Sequence, residues 1–143
     1  MINSILEAVS IAINAEFGDD YTIYTEAVEQ GLNEPCFFLS CVNPSSRVFL
    51  GKRYFKENKF CVQFFPSCKE RAKEECNSAA ERLFSCLEYI NIDGDLVRGT
   101  KMKCETTDGI LNFFVNYNLF VYIDKNIEFT PIEGISENIS VKG

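Results

Sequence analysis

Residues 96–123 read LVRGTKMKCETTDGILNFFVNYNLFVYI. Asp108-Gly109 stands between two runs rich in β-forming residues. Asp-Gly tolerates the positive φ that a two-residue hairpin turn needs at its centre. The segment therefore predicts a hairpin of Leu96 to Thr107 with Ile110 to Ile123. In the second arm every odd position is apolar: Leu111, Phe113, Val115, Tyr117, Leu119, Val121 and Ile123. The even positions carry Asn112, Asn116 and Asn118. Side chains alternate across a strand, so one face is core and the other is partly wet.

Working outward, Ser67 to Ile90 predicts the main helix, with an apolar stripe of Ala72, Cys76, Ala79, Leu83, Leu87 and Ile90. Ser67 and Glu70 have capping-box spacing at its start, and Asn91 to Asp95 reads as a turn. Upstream, Arg47 to Lys56 and Lys59 to Phe65 predict a hairpin around Glu57-Asn58. Phe60, Val62 and Phe64 share one face of its second arm. Asn43-Pro44-Ser45-Ser46 reads as a turn, Cys36 to Val42 as a short buried strand, Gln30 to Pro35 as a loop, and Tyr21 to Glu26 as a strand. Residues 2–16 place Ile2, Ile5, Leu6, Val9 and Ile13 on one helical stripe, and Gly18 is its stop signal. The order is α-β-β-β-β-α-β-β. This is an α+β domain with a single antiparallel or mixed β-sheet and two α-helices packed on one face. The other face is semi-polar and aromatic, and the sheet has edges; both invite a partner. Residues 1–123 form the domain. Residues 124–143 lose the periodicity and read as a C-terminal extension, mobile or dependent on a partner.

Composition fits one globular domain: 143 residues, 46% apolar, 24% charged, 8 Gly and 4 Pro. No unbroken apolar run reaches the roughly 18 residues of a spanning helix. The first ten residues carry Glu7 and no base, unlike a secretory signal. There is no His. That excludes Ser-His-Asp and Cys-His catalysis and imidazole metal sites. Seven Cys are present, at 36, 41, 61, 68, 76, 86 and 104, with no C-x-x-C spacing. They read as reduced thiols of a cytoplasmic protein, several of them small buried hydrophobes. No cofactor is expected.

Charge is uneven. The net charge is −7, and residues 1–46 hold Glu7, Glu16, Asp19, Asp20, Glu26, Glu29 and Glu34 but none of the 14 Lys and Arg. The remainder is neutral. Such a surface opposes phosphate binding. It suits a basic partner, or a passage that DNA must cross without sticking. A solvated face that aids solubility would look the same. Weaker patterns add little. Asn91 to Asp95 lacks the ligand spacing of a calcium loop, and Gly51-Lys52-Arg53 lacks the order of a phosphate loop. Lys52, Arg53, Arg98, Lys101 and Lys103 form a basic patch only if two hairpins lie side by side. Otherwise they are strand-edge gatekeepers.

Four stretches together resemble the tail-terminator, or tail-completion, proteins of phages and prophages of Gram-positive bacteria. They are INSILEAVSIAINAEFGDDYTIYTE, NEPCFFLSC, LGKRYFKENKFCVQFFP and GDLVRGTKM with DGILNFFVNYNLFVY. The likeness runs from residue 1 to about 123 and lies in order and block character, not in a catalytic signature. It implies a structural protein and not an enzyme. It implies a hexameric ring that caps the head-proximal end of the tail tube, ends tube polymerisation and presents a surface to the neck or head and, in contractile particles, to the sheath. The partners implied are further copies, the tail tube protein and a neck or head-completion protein, with DNA passing through the lumen unbound and no membrane. The location implied is the virion tail, after assembly in the bacterial cytoplasm. Within that frame Asp19, Asp20, Glu26, Glu29 and Glu34 are interface candidates for the lumen or a neck-facing surface. Lys52, Arg53 and Arg98 are candidates for intersubunit salt bridges. Three alternatives remain. One is another head–tail joining adaptor, such as a head-closure or neck protein. The others are a small enzyme using Cys or carboxylates and a nucleic-acid binder, which the net charge opposes.

Overall fold

The computed structural model describes residues 2–25 and 31–122. Helix α1 spans Ile2–Phe17; of the expected stripe Ile5, Val9 and Ile13 are buried and Ile2 and Leu6 partly so, and Ala8 and Phe17 join the buried side. It ends at Gly18, whose N–H donates to the Asn14 carbonyl at 2.9 Å. At φ +91° the backbone there takes a conformation that glycine adopts without a Cβ penalty.

Strand β1 (Thr22–Tyr24) runs parallel to β2 (Cys36–Leu50), and β2 pairs antiparallel with β3 (Arg53–Phe65). After a short 3-10 turn at Lys69–Arg71, helix α2 covers Ala72–Cys86. Strands β4 (Tyr89–Ile92) and β5 (Asp95–Arg98) form a separate two-stranded sheet. Then β6 (Thr100–Thr107), β7 (Ile110–Asn116) and β8 (Leu119–Tyr122) return to the main sheet. Its order is β1-β2-β3-β7-β6, with β8 beside β3 beyond the end of β7. The fold is α+β, with a mixed and mostly antiparallel sheet.

The core lies between one sheet face and the helices. Phe37, Leu39, Phe60, Val62, Phe64, Leu111, Phe113 and Val115 are buried on the sheet. Ile5, Val9 and Ile13 of α1 and Cys76, Ala79 and Leu83 of α2 close over them. Each large side chain removed from water there contributes about 1.5–3 kcal/mol. Phe17, Tyr21, Phe37 and Phe64 form an aromatic cluster at one end, with centroids 4.8–6.3 Å apart.

The expected hairpin turn at Glu57-Asn58 is not there. β2 and β3 are each one long strand, and the chain reverses at Gly51-Lys52, where Leu50 pairs with Arg53. Gly51 has φ +54°, and a glycine at the first centre of a two-residue turn was the available signal. The expected turn at Asn43 to Ser46 is a bulge inside β2, with the register shifting between Val42 and Ser45. Asn43 takes φ +49° there. Pro44 is tolerated because β1 pairs only with Cys36 to Phe38, so the outer edge of β2 needs no ladder donor at that point.

Asn58 is buried and holds a junction instead of a turn. Its Nδ2 donates to the Tyr117 carbonyl at 3.1 Å, its backbone N–H donates to Asn118 Oδ1 at 3.3 Å, and its carbonyl accepts from the Tyr117 N–H at 2.9 Å. The expected strand 110–123 is therefore broken at Tyr117-Asn118 into β7 and β8, both on β3.

The expected strand 96–107 is likewise broken, at Gly99. A Cβ there would lie 2.7 Å from the Leu87 carbonyl and 2.8 Å from a Val115 methyl, so only glycine fits. The helix expected to Ile90 ends at Cys86, and Ile90 belongs to β4. The capping box is absent. Ser67 donates through N–H and Oγ to Glu75, and Glu70 accepts from the Cys68 thiol. The C-terminal extension 124–143 and the expected strand end at Ile123 lie outside the described residues.

Candidate interaction surfaces

The two long strands outrun the core. From Asn43 to Glu57 the β2–β3 hairpin runs beyond β1 and β7 and is flanked by β8; at its base Pro44, Ser45, Ser46 and Lys56 line a cavity with Ile2 and Asn3 at the start of α1. Residues 43–57 carry Arg47, Lys52, Arg53 and Lys56 against one carboxylate, Glu57. Glu57 accepts from the Ser45 hydroxyl at 3.2 Å.

Cross-strand register sets the side chains of this arm. Arg47 pairs with Phe55, Phe55 with Phe120, and Arg53 with Tyr122. Directly opposed residues share a face. The Arg47 guanidinium sits 5.0 Å over the Phe55 ring, the Phe55 and Phe120 rings are 4.9 Å apart, and Arg53 lies 5.1 Å over Phe120. Each cation–π contact contributes about 0.5–1 kcal/mol at an exposed site and holds a flexible arginine in place. Val48, Leu50 and Phe120 are large apolar side chains left 59%, 62% and 48% exposed on the same ribbon.

The acidic residues gather at the opposite end. Asp19 and Asp20 form the turn after α1, between Phe17 and Tyr21, and Glu34 lies two residues before β2; all three are exposed. Asp19 Oδ1 accepts from Asn14 Nδ2 at 3.0 Å. Glu16 is taken up by Arg82, at 3.0 Å from Nε, and that guanidinium also covers the Phe17 ring at 4.1 Å. Asn33 N–H donates to the Tyr24 hydroxyl at 3.1 Å and ties the segment before Glu34 to β1. Glu26 and Glu29 lie outside the described residues. From Cys36 to Leu50 is roughly 45 Å at 3.3 Å per residue, so the acidic end and the cationic arm are far apart.

The basic candidates do not form one patch. Lys52 and Arg53 stand at the arm tip and Arg98 on β5 of the small sheet. Lys103 shares the Phe114 ring with Lys59, at 5.8 and 4.9 Å, on the sheet face turned away from the helices. Sequence reasoning missed Arg47, Phe55 and Phe120. Their signal depended on register, which the misplaced turn concealed.

Burial raises the thiols of Cys36, Cys41, Cys61, Cys76 and Cys86, Cys36 to about 11 and Cys86 to about 12. That is the opposite of nucleophile activation. Among the described residues no group of His, Cys, Asp or Glu is placed to hold a metal, and no helix is long and apolar enough to cross a membrane.

A family model described as phage tail terminator protein matches residues 4–128. No curated protein matches the chain. A solved structure known only by a sequence identifier aligns with 88% of this chain and 97% of its own, at 13% identity and a TM-score of 0.39. That likeness is too weak to argue from.

Proposed function

Because the chain belongs to the phage tail terminator family, whose members are structural proteins and not enzymes, we propose that it closes the head-proximal end of a tail tube. As a component of the virion tail it assembles with other tail parts. The finer reading is a ring of copies, six in number. The ring caps the tube, ends its polymerisation, and offers a surface to the neck or head and, where the tail contracts, to the sheath. DNA passes through its lumen without specific binding.

The observation that carries this reading is the family match, which spans both the helical layer and the projecting arm. Surface charge agrees with it. Lys52, Arg53 and Arg98 contribute to intersubunit salt bridges. Asp19, Asp20 and Glu34, with Glu26 and Glu29, border the lumen or the neck-facing side, where carboxylates repel DNA phosphate. The domain is residues 1–123, followed by an extension from 124.

Light scattering over a concentration series, with negative-stain images of the same sample, tests this. Closed rings with an open centre are expected, formed either in solution or at one end of added tail tubes. A chain that stays monomeric and ignores tube ends overturns the reading. Recruitment only to an isolated neck or head component would make the protein a head–tail adaptor instead.

A further inference from the structure

Two features lie at opposite ends of the same pair of strands. One is the cationic, aromatic arm; the other is the acidic turn and loop around Asp19, Asp20 and Glu34. We infer that the arm of one copy docks on the acidic end of the next, Arg47 and Arg53 facing Asp19, Asp20 and Glu34. This rests on the ring reading and names the contact within it.

Three observations fix the occupant as a second copy. The first is charge complementarity. Residues 43–57 carry four cations against one carboxylate, and Asp19, Asp20 and Glu34 are exposed at the other end, where Arg82 is engaged by Glu16. The second is preorganisation. Arg47 rests on the Phe55 ring and Arg53 on the Phe120 ring, contacts that restrict both side chains and lower the entropy cost of engaging carboxylates. The third is exposed apolar area. Leu50, which pairs with Arg53 at the tip, is largely exposed and would be covered in the contact, as the core of an interface requires.

The contact is heterologous: its two surfaces differ and sit at opposite ends of the subunit. Repeated head to tail, such a contact closes into a ring when its rotation allows.

The test uses the full chain in three forms: unchanged, R47E/R53E, and D19K/D20K. Circular dichroism first establishes that each form is folded. Each variant alone should lose the oligomer mass seen for the unchanged chain, the dissociation constant between copies rising by roughly a hundredfold or more. Mixed in equal amounts the variants should regain it. The reversed arm of one meets the reversed acidic end of the other, and the unchanged arm meets the unchanged end. The ring should also dissociate at about 1 M salt, where the Debye length is near 3 Å. An oligomer of R47E/R53E alone as stable as the unchanged one would overturn the inference and leave the terminator reading intact. A mixture of folded variants that stays dissociated would do the same. An unchanged chain that never associates, even at tube ends, overturns both.

Discussion

β2 and β3 begin and end in different worlds. Near Phe37 and Phe64 they are the centre of a layered core, covered by two helices and flanked by β1 and β7. Beyond Asn58, towards Gly51, the same two strands run past β7 and have β8 beside β3 instead. The sequence shifts with the environment. The buried half alternates Phe60, Val62 and Phe64 with Cys61 and Gln63, and the projecting half holds four cations and exposed Val48 and Leu50. One ladder thus serves two ends, stability in the first half and association in the second.

The comparison can be broken most forcefully in the body. Gly99→Val would drive a branched side chain into the Leu87 carbonyl and the Val115 methyl. A loss of 3 kcal/mol or more is expected, about the top of the usual overpacking range, because one obstacle is backbone. Phe37→Ala should cost about 3–5 kcal/mol through the cavity it leaves. Urea midpoints would check both.

Tyr117 should give a smaller effect. Its hydroxyl donates to the Leu87 carbonyl at 2.6 Å in a buried position. Tyr117→Phe orphans that carbonyl and should cost about 1–3 kcal/mol.

A pH series sharpens the same contrast. Burial raises Tyr117, Cys36 (to about 11) and Cys86 (to about 12) in the folded body, the thiols from 9.0. The folded state then holds these protons more tightly than the unfolded chain does. The stabilisation is complete below pH 9 and declines as pH rises towards the folded values. Urea midpoints should therefore be level from pH 7 to 8.5 and fall between pH 9 and 11. A flat profile through pH 11 would deny that these groups stay buried.

Smallest of all should be the folding effect of changes in the arm. Arg47→Ala removes one exposed cation–π contact and should shift stability by less than about 1 kcal/mol. If it destabilises the fold as much as Tyr117→Phe, the division between body and arm is wrong.

Much of this was legible in the residues. The stripe of α1, the stop at Gly18, the Asp108-Gly109 turn and the burial of Leu111, Phe113, Val115 and Tyr117 follow from period and turn chemistry alone. The errors share one cause. Asn43-Pro44 and Glu57-Asn58 look like turns locally, yet the ladder absorbs the first as a bulge and uses Asn58 as a buried anchor sixty residues from Asn118. Local propensity cannot reveal a partner that distant. The breaks at Gly99 and Tyr117 were hidden for the same reason, since each answers to packing across the core. The cations at 52, 53 and 98 were visible as residues, but their separation onto two sheets was not.

The placement of β3 also sets a timetable. Its first neighbour, β2, is adjacent in the chain, and a hairpin forms in about 1–10 μs. Its other neighbour begins at Ile110, some forty-five residues after Phe65. At about 5–20 residues per second, a ribosome takes several seconds to deliver it. In that interval α1 is already made and can cover the apolar face of the new hairpin, while the β7-facing edge of β3 stands unpaired. The arm is therefore among the first parts of the molecule to exist, and the strand that secures it to the body is among the last.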